Sequence, residues 1–147
     1  MAFPILSGMA TLARSVVSQQ ATLEIVVLHT RISETLHALK TAAQLAQDLS
    51  GRIRLLVLEI VPYPLPLHRP DVSLPSTQRR FRTLAENTAI ETAVDIHLVR
   101  DPQKALESVL EPHSIVVMGG RRTWWPSAHS RVAKRLERQG HQVVFAG

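Results

Sequence analysis

The sequence has no cysteine, no catalytic signature that we can identify and no long apolar run. Without a thiol among its 147 residues, the chain cannot form a disulfide scaffold, a thiolate metal site or a cysteine nucleophile. No apolar run approaches the ~18 residues of a membrane-spanning helix, so we expect no transmembrane segment. Hydrophobic residues make up 45% of the chain, which is enough for a folded core. The lack of cysteine fits a reducing compartment, and we expect a cytoplasmic protein.

Known catalytic motifs are also missing. The seven histidines include no pair at the i,i+4 spacing of a helical metal site. The chain has neither a nucleophile elbow nor a Walker loop, and its carboxylates are scattered rather than paired. We therefore predict no metal site, no certain cofactor and no catalytic activity.

The length fits a single domain preceded by a short arm. The first basic residue is Arg14, which follows the apolar opening Met1–Leu6, whereas a secretory signal has its basic residues first. We predict an N-terminal arm over residues 1–22 and a domain over residues 23–147. The arm is either loosely ordered or covers a partner or a pocket.

The net charge of +5 is concentrated near the end of the chain. Residues 118–147 contain one acidic residue, Glu137, and six basic ones: Arg121, Arg122, Arg131, Lys134, Arg135 and Arg138. Such a cluster is either a solvated helix face or a surface for phosphate, nucleic acid or an anionic membrane. No base-reading motif accompanies it, so we do not expect nucleic acid as the main partner.

Short β-branched runs alternate with segments of helical periodicity from residue 23 onward. The runs predict strands at 23–29, 53–61, 94–99, 114–118 and 141–146. Between them we predict a helix capped by Ser33, helices over 76–92 and 127–139, and a helix begun by Asp101 and Pro102. Prolines between residues 62 and 75 predict a loop.

This alternation predicts an α/β protein. Strands joined by helices run parallel, and right-handed crossovers place the helices on both faces. We expect an open, doubly wound, five-stranded parallel sheet, in which ligands bind at the carboxyl ends of the strands. Residues 29–31, 60–62 and 119–130 should meet at that edge.

The third of these stretches has the composition of an anion site. Gly119 and Gly120 leave a buried strand, Arg121 and Arg122 follow, and a helix begins near Ser127 or Ser130. Glycine lets a phosphate approach the backbone, and the N–H groups at a helix start bind anions. The alternative is an ordinary tight turn.

The second strand, ending Leu58–Pro62, and the stretch Ser114–Arg121 resemble a universal stress protein domain. The resemblance covers about residues 23–147 and implies a five-stranded parallel sheet. It also implies a homodimer formed through the last strand, with Val143, Val144 and Phe145 at the interface. One branch of that family binds ATP, and another does not.

The ATP-binding branch carries Gly-x-x-Gly, nine residues, then Gly-Ser or Gly-Thr. Gly119 matches the first glycine, but Arg122 stands at the second. The loop to the helix is about three residues shorter than in the family, so His129-Ser130 falls at the Gly-Ser position. The aspartate that ends strand one in ATP binders is Thr30 here. Because the Cβ atoms of Arg and His disfavour the glycine path, we expect no ATP binding of the usual kind.

A rebuilt site for ATP or another adenine nucleotide is the alternative. It would use the arginine-containing loop for the phosphates and the backbone after strand two for the adenine. The candidate residues are Thr30, Ile60, Val61, Gly119, Gly120, Arg121, Arg122, His129 and Ser130.

Trp124 and Trp125 lie side by side in the loop that leads to the last helix. Two such side chains can stack on a base, seat in a protein partner or contact a membrane. Alternatively, they fold back and fill the space that the shortened loop leaves. The most direct reading is a non-enzymatic, homodimeric stress-protein-like module, with this loop as a candidate contact for a protein partner.

Overall fold

A computed structural model of the chain describes residues 23–63, 74–121 and 127–147. Within these ranges, strands and helices alternate from end to end. The elements are β1 (Glu24–Leu28), α1 (Ile32–Leu49), β2 (Arg52–Ile60), α2 (Leu74–Ala85), β3 (Thr92–Val99), α3 (Pro102–Val109), β4 (Ile115–Gly119), α4 (Ala128–Arg138) and β5 (Gln142–Ala146). The predicted arm over residues 1–22 and the tryptophan pair lie outside the described residues.

The strands form one parallel sheet in the order β3-β2-β1-β4-β5. β1 occupies the centre, where Val27 pairs with Leu55 on one side and Val117 on the other. Four of its five residues are buried, as expected for a strand covered on both faces. The sheet confirms the predicted doubly wound α/β fold.

Two apolar cores lie on opposite faces of this sheet, because successive strand residues point to opposite sides. On the first face, α1 and α2 pack against alternate residues of β1, β2 and β4, with Phe81 of α2 fully buried. On the second face, α3 and α4 cover the other set of residues, with Leu106 and Leu136 at the contact. At ~25 cal/mol per Å² of buried apolar surface, these cores dominate the stability of the fold.

The helix boundaries correct several sequence predictions. α1 begins two residues earlier than expected: its N-cap is Arg31, which makes no side-chain capping bond, and Ser33 lies exposed within the first turn. Its buried face runs along Thr35, Ala38, Leu39, Ala42 and Ala46, whereas Leu36 and Ala43 are only half-buried. The prediction for α3 is confirmed, because Asp101 accepts hydrogen bonds from the N–H groups of Gln103 (3.0 Å) and Lys104 (3.3 Å).

α2 begins at Leu74 and ends at Ala85, so the predicted helix over 76–92 was too long at its end. The hydroxyl of Thr88 lies 3.0 Å from the carbonyl oxygen of Ala85 and 2.8 Å from that of Ile90. This side chain therefore holds the backbone in a turn, where threonine competes with helical hydrogen bonding. β3 can then begin at Thr92.

Candidate functional site

The candidate site lies at the carboxyl ends of β1 and β4, where the strand order reverses direction. Leu28 of β1 pairs with Met118 of β4, so the residues that follow both strands leave the sheet side by side. Thr30 and Gly120 therefore lie at the same level of this edge. Ligands of doubly wound sheets bind at such a switch point.

A carboxylate of the chain itself occupies the space between these two strand ends. Glu34, in the first turn of α1, accepts a hydrogen bond of 2.8 Å at Oε2 from the hydroxyl of Thr30. Its other oxygen lies 3.9 Å from where a Cβ would stand on Gly120. Sequence reasoning identified Thr30 but missed Glu34, because Thr30 lies before the helix N-cap Arg31 and the pair has no helical spacing to reveal it.

The backbone of Glu34 also presses against the end of β4. A Cβ on Gly119 would overlap the carbonyl group of Glu34, so only glycine lets α1 lie this close. Gly119 is therefore required by the packing of the helix, whatever the site binds.

Gly120 supplies the conformation that the loop needs. Its φ of 104° lies in a region that side chains with a Cβ rarely adopt, and its N–H donates to the carbonyl of Ala146 at 2.9 Å. On the open side, His129 Nδ1 of α4 lies 4.0 Å from the position of a Cβ on this glycine. An imidazole and a carboxylate thus flank Gly120, whose N–H is already used within the sheet.

His29 anchors the other side of the strand end. Its Nδ1 lies 2.8 Å from the hydroxyl of Thr35, which also accepts from the N–H of Thr30 at 3.3 Å. The ring packs edge-on against Phe81 at 4.7 Å, and the Arg80 guanidinium lies over that phenyl ring. Burial, and secondarily the charge of Arg80, lowers the pKa of His29, so the imidazole is held neutral.

Ile60 and Val61 lie further out than the switch point. Leu56 pairs with Leu28, and β2 continues four residues beyond it to Ile60, a distance of about 13 Å at ~3.3 Å per residue. The N–H of Val61 donates to the carbonyl of Val99 at 2.8 Å. That donor is therefore engaged in strand pairing, and the Ile60 side chain, 62% exposed, extends into solvent.

The remaining predicted residues divide between the helix start and the end of the sheet. Ser127 caps α4 by accepting from the N–H of Ser130 at 3.1 Å, and its hydroxyl lies 3.2 Å from that of Ser130, which is buried. Arg121 is exposed, and its stem lies against Gly147. Arg122 lies outside the described residues. The structure thus brings Thr30, Gly119, Gly120 and His129 together around Glu34.

Several solved structures that are similar to this fold are universal stress proteins. A protein from that family from Burkholderia pseudomallei matches with a TM-score of 0.54 and 19% identity, over 85% of this chain and 96% of that one. The universal stress protein from Archaeoglobus fulgidus matches with a TM-score of 0.58 and 11% identity, over 85% and 93%. The chain has the universal stress protein fold.

Another universal stress protein, solved in complex with cAMP, matches with a TM-score of 0.56 and 14% identity, over 85% of this chain and 96% of that one. These comparisons confirm the resemblance at the level of the fold. No protein-family model matches the sequence, and no curated protein matches it significantly.

The last strand of this universal stress protein fold is apolar on both faces. Val144 packs against the first core, while Val143 and Phe145 pack against the second. All three remain half-buried because β5 pairs only with β4. The outer backbone edge of β5 thus has no neighbouring strand within the described residues.

The opposite edge strand, β3, has one apolar and one charged face. Arg54 of β2 lies 2.9 Å from a carboxylate oxygen of Glu24 and 3.1 Å from one of Asp95, and His97 contacts Asp95 at 2.9 Å. We call Glu24, Arg54, Asp95 and His97 the charged row. Arg54 is its most buried member, with a side chain 17% exposed.

The described residues offer neither a metal site nor a membrane-spanning helix. No cluster of three or more His, Asp or Glu side chains there has the geometry to hold a metal ion. None of the described helices combines the length and the apolar character needed to span a bilayer.

Proposed function

We propose that the chain is a divergent, non-enzymatic universal stress protein that works as a cytoplasmic homodimer and does not hold ATP in the usual family manner. The observation that carries this proposal is the Glu34 carboxylate, which is bonded to Thr30 and lies beside Gly120. A negative charge of the chain itself thus stands where the phosphates of a ligand would approach the strand ends.

Electrostatics supports this proposal. Two unit charges 4 Å apart repel by about 4 kcal/mol at the effective dielectric of a protein surface, and a polyphosphate carries several charges. A phosphate also needs N–H donors, but the N–H of Gly120 donates to Ala146. A phosphate would therefore meet a carboxylate and would lack this backbone donor.

The homodimer rests on the composition of β5. A strand with apolar side chains on both faces is typical of a sheet interior, yet β5 lies at an edge. Pairing with β5 of a second copy would cover Val143, Val144 and Phe145 and would continue the sheet beyond this edge. The loop that carries Trp124 and Trp125 is the candidate contact for a further protein partner in a stress response.

A nucleotide-dependent switch is the second candidate, and the neighbour solved with cAMP favours it. In this alternative, Glu34 leaves Thr30, and the released edge accepts an adenine nucleotide beside Gly120 and His129. Arg121 and Arg122 would then contribute positive charge. Both candidates make Glu34 the residue that decides nucleotide binding.

A thermal-shift titration separates the two candidates. Purified wild-type protein and the Glu34→Gln variant are titrated with ATP, ADP, AMP and cAMP, with and without Mg²⁺. A ligand at about 100 times its Kd stabilises a fold by about 2.7 kcal/mol, which is several degrees for a domain of this size. We expect no shift for wild type at millimolar ligand and a shift for Glu34→Gln.

Glu86→Gln is the matched control, because Glu86 is an exposed acid just beyond the end of α2. This variant should behave as wild type does. A clear shift in wild type would instead establish the nucleotide switch. If neither wild type nor Glu34→Gln shows a shift in melting temperature, the Glu34 carboxylate is not what excludes the nucleotide.

A further inference from the structure

The outward face of α4 carries a row of exposed positive charges. The helix buries Ala133 and Leu136 against the sheet. At about 100° per residue, Arg131, Lys134 and Arg138 fall within about 60° of one another and about 160° from that buried pair. All three are exposed. We call these three residues the cationic ridge.

Arg135 lies on the same helix but, unlike the cationic ridge, contacts polar side chains of α3. Its guanidinium binds the Glu107 carboxylate of α3 at 2.8 Å and also hydrogen-bonds Gln103. This arginine is engaged within the fold. Within the described residues, by contrast, no carboxylate or hydrogen-bond acceptor pairs with the cationic ridge. Its charge is therefore available to a partner.

The surroundings of the ridge indicate the chemistry of that partner. The apolar residues Val132, Ala133 and Leu136 of α4 all pack into the second core. A protein interface has an apolar centre, and an interfacial membrane helix inserts an apolar face. Clusters that bind anionic lipids by charge alone hold about 4–8 Lys or Arg, whereas the ridge has three. The phosphate backbone of a nucleic acid needs only positive charge.

We propose that the cationic ridge binds the phosphate backbone of duplex nucleic acid without reading its sequence. The ridge spans about 10 Å along the helix, and duplex DNA carries a charge every ~1.7 Å of its axis, so several phosphates face it at once. The lack of a base-reading motif argues against sequence-specific recognition. Contact with the backbone requires no such motif, and this proposal therefore departs from the expectation that nucleic acid is not a partner.

The test is fluorescence anisotropy of a labelled 20-bp DNA duplex, titrated with the full chain at 25 to 200 mM salt. Three phosphate contacts give a slope of log K against log salt concentration of about −2.7. The triple variant Arg131→Glu/Lys134→Glu/Arg138→Glu should weaken binding at least ~10-fold at low salt. The single variant Lys134→Gln, which is conservative for folding, should reduce the slope by about one.

The matched control reverses three exposed charges on the helices of the other sheet face: Lys40→Glu/Arg79→Glu/Arg82→Glu. It changes the net charge by the same amount and should retain most of the binding. Circular dichroism establishes that both triple variants are folded.

Equal loss in the two triple variants would overturn the proposal, because net charge rather than the ridge would then cause binding. The absence of DNA binding at 25 mM salt would also overturn it. So would binding to phosphatidylserine vesicles alone that is lost in the ridge variant, since the partner would then be a lipid surface.

Discussion

The two edges of the sheet differ in how they meet solvent. β3 alternates apolar residues, such as Val94 and Ile96, which pack on the first core, with Asp95 and His97 on the other face. Successive residues of β5 also point to opposite faces, but both faces are apolar: Val144 packs on the first core and Phe145 on the second. Both are parallel edge strands, but β3 has charged side chains on one face and β5 has apolar side chains on both.

This difference indicates which edge accepts another strand. Charged side chains on an edge strand disfavour pairing with a second chain, because pairing would strip them of water. β3 carries half of the charged row, whereas β5 has no charged residue between Gln142 and Ala146. The proposed dimer would therefore form through β5, whereas the charges of β3 disfavour pairing at the other edge.

The strongest test of this contrast is Val144→Lys. A charge on each copy of a paired β5 would meet its counterpart at the interface, so we expect the dimer to dissociate completely. Light scattering after size-exclusion chromatography would then report half the wild-type mass. Ala93→Lys, at an exposed position of β3, should leave the mass unchanged. An unchanged mass for a folded Val144→Lys protein would remove this interface.

A smaller effect is expected from breaking the charged row with Arg54→Ala. This change removes the cation that Glu24 and Asp95 share and leaves Asp95, which is half-buried, with His97 as its remaining contact. We expect the free energy of unfolding in urea to fall by about 1–2 kcal/mol. Arg52→Ala, on the same strand but exposed, should change it by less than about 0.5 kcal/mol. Equal effects would mean that the row contributes no specific stability.

The smallest effect concerns pH and the start of β5. The N–H of Ser114 donates to His141 Nδ1 at 3.1 Å, so protonation of this ring removes the acceptor. Burial, and secondarily the neighbouring His113, lowers the pKa of His141 below its ordinary 6.5. The stabilisation is therefore complete above pH 6.5 and is lost as the pH falls below that value.

The measurement is the free energy of unfolding from pH 7.5 to pH 5.5 for wild type and His141→Asn. The amide oxygen of asparagine keeps an acceptor for Ser114 but does not titrate, so the wild-type decline should be the steeper one. His29, whose pKa is also lowered, contributes equally to both proteins. Parallel declines would show that His141 does not act as described.

The fold was predictable because its signals are local. Runs such as Ile25–Leu28 are apolar on both faces, and Asp101 with Pro102 marks a helix start directly. The boundaries were less predictable where side chains act over several residues. Thr88 ends α2 by bonding carbonyls on both sides of it, and periodicity does not contain that information.

The site was only partly predictable for a related reason. Gly119, Gly120 and Thr30 follow strands, so topology places them at one edge. Glu34 belongs to the site because α1 packs closely against β4. This close packing is possible only because Gly119 has no Cβ. A contact between a helix and a distant strand is a property of packing, and the sequence indicates only that both elements exist.

The packing of α1 across Gly119 has a consequence for comparisons among such chains. Any side chain at this position would displace the helix by colliding with the Glu34 backbone, so loss of a ligand would not relax the requirement for glycine. Gly119 therefore reports how closely α1 packs against β4. Its presence in a sequence does not distinguish a chain that binds a nucleotide from one that does not.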